Sequence, residues 1–131
     1  MSKNEKNKAG RIKLLLVDDE KGFANIIAKR MSKRDIDVTK AYSGAEALQT
    51  IRKANFDVAV LDLKMEDMDG IEILKIFKKM DPDLSVIMLT GHGSEAAAKD
   101  GIKFGAFDYL TKPCDLEELI KKIRKAVQPG R

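Results

Sequence analysis

The chain has little of what marks secreted or membrane-spanning proteins. Its single cysteine, Cys114, has no partner for an internal disulfide, which favours a reducing cytoplasm. No apolar run approaches the roughly 20 residues that a helix needs to cross a bilayer. The N-terminus is polar and lacks the apolar centre of a signal peptide. We therefore expect a cytoplasmic protein that does not contact a membrane.

Excess charge is also missing from most of the sequence. The 131 residues carry a net charge of +4. Five basic residues and one acidic residue within residues 1–13 account for all of this charge, so the remaining sequence is neutral. We predict a flexible basic tail over residues 1–10 and no direct nucleic-acid binding by the folded part. The length allows one domain, which we predict over residues 11–128.

Short apolar runs alternate with helical patterns along the rest of the chain. Strands are predicted near residues 12–17, 36–41, 57–61, 84–89 and 106–110. Helices are predicted near residues 20–32, 44–53, 70–79, 94–103 and 115–127. Two helices begin with pairs of capping-box spacing, namely Ser43 with Glu46 and Asp69 with Glu72, and the last helix begins with Asp115 and Glu118. Five such units favour one α/β domain whose open parallel sheet is covered on both faces.

The fourth helix has the weakest pattern of the five. Gly91 and Gly93 precede it, Gly101 lies inside it, and its alanines offer little apolar surface. An internal glycine costs a helix about 1 kcal/mol relative to alanine. We expect this helix to be a moving part of the domain.

Acidic residues and one lysine follow the apolar runs at the predicted strand ends. Asp18 and Asp19 follow the first strand, Asp62 follows the third, and Lys112 follows the fifth. The C-terminal ends of parallel strands meet at one edge of a sheet, so we expect these side chains to converge. Packed carboxylates repel one another unless a cation joins them, and hard oxygen ligands suit Mg²⁺. A lysine beside them adds a positive charge suited to a phosphoryl group.

Four motifs in register resemble the receiver domain of two-component response regulators. They are Val17–Glu20, Leu61–Gly70, Leu89–Gly91, and Tyr109 with Lys112 and Pro113. The resemblance covers roughly residues 11–127. It implies a single doubly wound, flavodoxin-like (βα)5 domain with strand order 2-1-3-4-5, in which a ligand binds at the switch point between strands one and three.

The resemblance implies a phosphoacceptor and a metal site. Asp62 is the implied nucleophile, whose carboxylate attacks phosphorus to form a mixed anhydride. Asp19 is implied to bind Mg²⁺ directly and Asp18 largely through water. The side chain of Asp62 and the backbone carbonyl of Lys64 complete the protein's share of the ligands.

The resemblance also implies residues that contact the phosphoryl group or respond to it. Thr90 and Lys112 contact this group, and the peptide bond after Lys112 is often cis in the family. Lys64 and His92 flank the group and tune its lifetime. Thr90 and Tyr109 form a switch, which changes the surface made by the fourth helix, fifth strand and fifth helix.

The implied partners are those of a signalling protein. A histidine kinase or phosphotransfer protein donates the phosphoryl group, and an output domain or effector responds. Residues 90–94 and 105–110 are similar to receivers of ATPase-linked transcription activators, so transcription is one expected output. A phosphorylation-dependent homodimer is also compatible with the resemblance. The domain is not expected to be an enzyme, because it catalyses only its own aspartyl phosphorylation and dephosphorylation.

One departure and three alternatives bear on this interpretation. The family usually has proline after the methionine of the acceptor loop, whereas Glu66 follows Met65 here. A flavodoxin-like electron carrier would need a Ser/Thr/Gly phosphate loop where this chain has residues 18–21. A phosphohydrolase with an aspartate nucleophile would carry an Asp-x-Asp pattern on the first strand, which is absent. A receiver-like scaffold that binds without phosphorylation is disfavoured by the intact acidic site.

Overall fold

Strands and helices alternate throughout the computed structural model, which describes residues 10–91 and 94–128; His92 and most of the predicted tail lie outside these residues. The strands are β1 (Ile12–Val17), β2 (Ile36–Ala41), β3 (Val58–Asp62), β4 (Ser85–Thr90) and β5 (Asp108–Thr111). The helices are α1 (Lys21–Ser32), α2 (Gly44–Lys53), α3 (Gly70–Met80), α4 (Glu95–Lys103) and α5 (Leu116–Ala126). Each element lies within two residues of its predicted position. Within the described ranges, none of the helices has the length and hydropathy needed to span a membrane.

The sheet is parallel and has the predicted strand order, β2-β1-β3-β4-β5. Alternate residues of each central strand face opposite sides. In β1, Leu14 and Leu16 pack with α1 and α5, whereas Leu15 and Val17 pack with α2, α3 and α4. Because helices cover both faces, the central strands are apolar on both sides. The flavodoxin-like fold is confirmed.

The predicted capping residues hold the starts of three helices. The Ser43 hydroxyl accepts a hydrogen bond from the N–H of Glu46 at 3.0 Å, and the Glu46 carboxylate accepts one from the N–H of Tyr42 at 2.6 Å. Asp69 and Asp115 each accept from the N–H two residues later, at 3.0 and 3.1 Å. These contacts satisfy amide groups that have no partner inside the helix.

The fifth strand begins two residues later than predicted. Gly105 has a φ of +109°, in the left-handed region that favours glycine. The next N–H, of Ala106, donates to the carbonyl of Gly101 at 3.1 Å. The chain is therefore still completing the end of α4 at this point, and β5 starts only at Asp108.

Helix α4 lies against the sheet through its glycine. Ala98 and Gly101 are its buried residues. A Cβ atom at position 101 would overlap the Met88 sulfur of β4, so the close approach depends on the missing side chain. The residue that weakens the helix is also its contact with the sheet.

Two glycines in the first turns of helices form a matched pair for a stability test. A Cβ atom on Gly70 would lie 2.6 Å from the Cα of Leu63, whereas one on Gly22 would have no neighbour within 4 Å. We expect Gly70→Ala to lower the free energy of unfolding by about 1–3 kcal/mol, because backbone must move. Gly22→Ala should leave it unchanged or raise it by up to about 1 kcal/mol. Urea denaturation measures both, and a Gly70→Ala variant as stable as wild type would contradict this packing.

Candidate functional site

The two buried acids of the site lie at the C-terminal ends of neighbouring strands. Val17 pairs with Leu61 in the parallel register of β1 and β3, which places Asp18 and Asp62 at the same level. The N–H of Asp18 continues the ladder to β2 by donating to the carbonyl of Ala41 at 3.0 Å. The exposed fraction is 0% for Asp18 and 5% for Asp62. Two carboxylates therefore share a region from which water is largely excluded.

Lys112 supplies the positive charge beside these acids. Its Nζ lies 2.9 Å from Oδ2 of Asp18, 3.1 Å from Oε1 of Glu20 and 3.5 Å from Oδ2 of Asp62. The ammonium also lies 4.4 Å from the centre of the Phe23 ring. Burial disfavours the charge, but the neighbouring carboxylates outweigh it and raise the pKa of Lys112 to about 12. The side chain is therefore a fixed cation.

The environment of Asp62 opposes its ionisation. Burial raises the pKa of this carboxyl group, and the charges of Asp18 and Asp19 add to the effect. The N–H of Lys64 donates to Oδ1 of Asp62 at 3.1 Å and, with the Lys112 ammonium, partly offsets the rise. The net result is a raised pKa, of which burial is the largest cause.

The carboxylates can hold a metal ion. One oxygen from each of Asp18, Glu20 and Asp62 lies within 4.8 Å of the other two. Oxygen donors of this charge and spacing fit a hard divalent cation such as Mg²⁺. Among the described residues, Asp19 is not part of this group, and its Oδ2 accepts a hydrogen bond from the N–H of Glu66 at 3.1 Å. The predicted ligand set, with Asp19 and the carbonyl of Lys64, stays a prediction.

The predicted phosphoryl contacts lie on β4 and just after β5. Thr90 is buried, and its hydroxyl donates only a long hydrogen bond, of 3.5 Å, to the carbonyl of Leu110. The N–H of Lys112 donates to the Thr90 carbonyl at 2.6 Å, so the β4–β5 ladder carries the lysine to the site. The peptide bond between Lys112 and Pro113 is cis, as the resemblance implied.

The other predicted residues lie around this centre. Tyr109 is half-buried and packs against the core on the α2, α3 and α4 side. The Lys64 side chain is exposed. His92 lies outside the described residues, so its predicted role in phosphoryl lifetime stays a prediction.

Two acidic residues at the site were missed by sequence reasoning. Glu20 pairs with Lys112 and lies beside the buried acids; its position directly after Asp18 and Asp19 was the available signal. Asp67, in the loop after β3, accepts hydrogen bonds at 2.9 and 3.1 Å from the first two N–H groups of α2. These bonds lower the pKa of Asp67. No local pattern pointed to this contact, because its two sides are far apart in sequence.

Comparisons with known proteins agree with this geometry. Residues 14–124 match the family described as "Response regulator receiver domain". The chain is 36% identical over 115 residues to the transcriptional regulatory protein GlrR of Escherichia coli K12, covering 88% of this chain and 26% of that protein. It is 39% identical over 106 residues to the photosynthetic apparatus regulatory protein RegA of Cereibacter sphaeroides, covering 81% and 58%. A response regulator receiver domain protein from Clostridium thermocellum superimposes with a TM-score of 0.85 at 35% identity, covering 88% and 94%.

The match covers only part of the length of these two regulators. The chain spans about a quarter of GlrR and under three fifths of RegA. The similarity to these regulators therefore concerns their receiver part alone.

The raised pKa of Asp62 predicts a pH-dependent cost to stability. Since folding favours the protonated form, the cost grows as the pH rises from the ordinary carboxyl value through the raised one, and is constant above it. Asp62→Asn keeps the acceptor for Lys64 N–H and removes the charge. In metal-free buffer at pH 7, we expect its free energy of unfolding to exceed that of wild type by about 1 kcal/mol.

Urea denaturation at several pH values tests this expectation. The gain should shrink towards pH 3, where Asp62 is protonated in wild type as well. Asp100→Asn, a change at an exposed carboxyl of α4, is the control and should show no comparable trend. A loss of stability at pH 7, or a gain that does not vary with pH, contradicts the assignment.

Proposed function

Because this chain belongs to the receiver domains of two-component response regulators, we propose that Asp62 is its phosphoacceptor. Receiver domains are signalling domains that act as phosphorylation-dependent switches, and family membership sets aside the electron-carrier and phosphohydrolase alternatives. The observation that carries the proposal is the position of Asp62. It is a buried carboxylate at a strand end, with a lysine ammonium 3.5 Å away and further acids beside it.

The proposed reaction is a phosphoryl transfer to the carboxylate. An oxygen of Asp62 attacks phosphorus, and an O–P bond forms as the P–N bond of a phosphohistidine breaks. The electron pair of that bond leaves with the histidine ring nitrogen. The N–H of Lys64 orients the Asp62 carboxylate, and Lys112 offers its charge to the incoming phosphoryl oxygens. Hydrolysis of the acyl phosphate later restores the carboxylate.

A divalent cation completes this proposal. Mg²⁺, when bound, would neutralise the negative charge that accumulates as the phosphoryl group approaches the acids. The proposed ligands are Asp18, Asp19 and Asp62 with the carbonyl of Lys64, and Glu20 is close enough to the buried acids to act with them. The excess of carboxylates in this cluster supports a cation requirement, because those of Asp18, Glu20 and Asp62 surround the single ammonium of Lys112.

The proposed partners follow from the family. A histidine kinase or phosphotransfer protein supplies the phosphoryl group, and an output domain or effector responds to it. Transcription is the output named for the regulators that the chain resembles. The only reactions proposed for the domain are its own phosphorylation and dephosphorylation. Phosphorylation-dependent homodimerisation and a cytoplasmic location remain predictions. The boundary at residues 11–128 also stays a prediction.

The proposed response runs along β4 to α4. A phosphoryl group on Asp62 offers the Thr90 hydroxyl a stronger acceptor than its 3.5 Å contact with a backbone carbonyl. Met88 lies two residues before Thr90 on β4 and pairs with Tyr109 of β5. Its side chain also packs against Gly101 of α4. We propose that inward movement of Thr90 changes the packing of Tyr109 and Met88 and so repositions α4.

Labelling with a small phosphodonor tests the acceptor. Wild-type protein incubated with acetyl phosphate and Mg²⁺ should gain the mass of one phosphoryl group, whereas Asp62→Ala and Asp62→Asn should gain none. Asp100→Asn should be labelled like wild type, because it lies on the exposed surface of α4. Stable label on Asp18, Asp19 or Ser43 of the wild-type protein would overturn the assignment.

A further inference from the structure

The acceptor loop after β3 makes a hydrogen bond to one of the proposed metal ligands. Oδ2 of Asp19 accepts a hydrogen bond of 3.1 Å from the backbone N–H of Glu66. The carboxylate oxygens of Asp18, Glu20 and Asp62 instead form their own group within 4.8 Å. One carboxylate oxygen of Asp19 is thus directed towards the loop.

The bond depends on which residue occupies position 66. Any residue except proline has a backbone N–H, and proline has none. Position 66 is where this chain departs from the receiver-domain pattern, which usually has proline where this chain has glutamate. The substitution therefore adds a hydrogen-bond donor opposite Asp19, in addition to the exposed negative charge of the side chain.

The same loop is anchored on its other side. The Asp67 carboxylate, next to Glu66, accepts hydrogen bonds from the N–H groups of Gly44 and Ala45 at 2.9 and 3.1 Å. These contacts fix the loop to the start of α2. The amide of residue 66 is therefore next to an anchored residue.

We propose that the Glu66 amide is a positioning group that competes with Mg²⁺ for the Asp19 carboxylate. Removing this N–H should therefore lower the Kd for Mg²⁺. Removing only the Glu66 carboxylate, with the N–H kept, should lower the Kd less. The proposal rests on the function proposed above, because it takes Asp19 to be a metal ligand. It makes the conformation of the acceptor loop part of what sets the metal affinity.

A pair of substitutions separates the amide from the charge. Glu66→Pro removes both the N–H and the carboxylate, whereas Glu66→Ala removes only the carboxylate. We expect the Kd for Mg²⁺, measured by isothermal titration calorimetry, to be roughly three- to tenfold lower for Glu66→Pro than for Glu66→Ala, as expected for the loss of one exposed hydrogen bond to a charged acceptor. In an Asp19→Asn background this difference should disappear, because the competing carboxylate is gone.

Hydrogen exchange of the wild-type protein gives a second reading that does not depend on the proline variant folding. The Glu66 amide should exchange slowly in metal-free protein and faster at saturating Mg²⁺. Equal affinities for the two variants, weaker binding by Glu66→Pro, or an amide whose protection is unchanged or increased by Mg²⁺ would each overturn the inference. Failure of the wild-type protein to bind Mg²⁺ at all would instead contradict the proposed function.

Discussion

The site depends on one cation among several carboxylates. Lys112 contacts Asp18, Glu20 and Asp62, and only 18% of its side chain is exposed. Acids brought this close repel one another, so the sheet edge would be costly to form without this ammonium. The pKa of Lys112 is raised to about 12, so this side chain is firmly charged, whereas burial raises the pKa of Asp62 and opposes its ionisation. Three carboxylates around one ammonium leave an excess of negative charge, so the site favours a further cation.

The supporting structure places this cluster and links it to the surface. Parallel register between β1 and β3 brings the acids together, and the β4–β5 ladder carries Lys112 to them. Strand β4 ends at Thr90 beside the cluster. The same strand contacts α4 through Met88, which packs directly against Gly101 because glycine has no side chain. A contact made through a flexible methionine and a glycine can change without disturbing the rest of the core. This is the physical basis for proposing that α4 responds to the site.

Much of this arrangement was predictable because it follows from local patterns. Apolar runs such as residues 14–17 specify buried parallel strands, and an acid after such a run must lie at the sheet edge. Ser43, Asp69 and Asp115 marked the helix starts for an equally local reason. The family resemblance then added roles that spacing alone does not carry.

Several missed features depend on contacts between parts of the chain that are far apart in sequence. Asp67 accepts a hydrogen bond from the start of α2, and Asp19 accepts one from the N–H of Glu66. The local sequence around either acid does not specify these partners. Gly101 was interpreted as a weakness of α4, because its contact with Met88 exists only once helix and sheet are packed. The late start of β5 has a local cause instead, namely the left-handed backbone conformation of Gly105. Sequence patterns specify which faces are buried, but not which polar partner a loop residue finds.

The central claim is that a phosphoryl group on Asp62 repositions α4 through Thr90, and NMR of the protein with beryllofluoride tests it most directly. Beryllofluoride mimics a phosphoryl group, and Mg²⁺ alone serves as the reference state. The account predicts changed chemical shifts and side-chain conformations at Thr90 and Tyr109 and along residues 94–104, with β1 and α1 beyond the site little affected. Binding of beryllofluoride at Asp62 with Thr90, Tyr109 and α4 unmoved would contradict it.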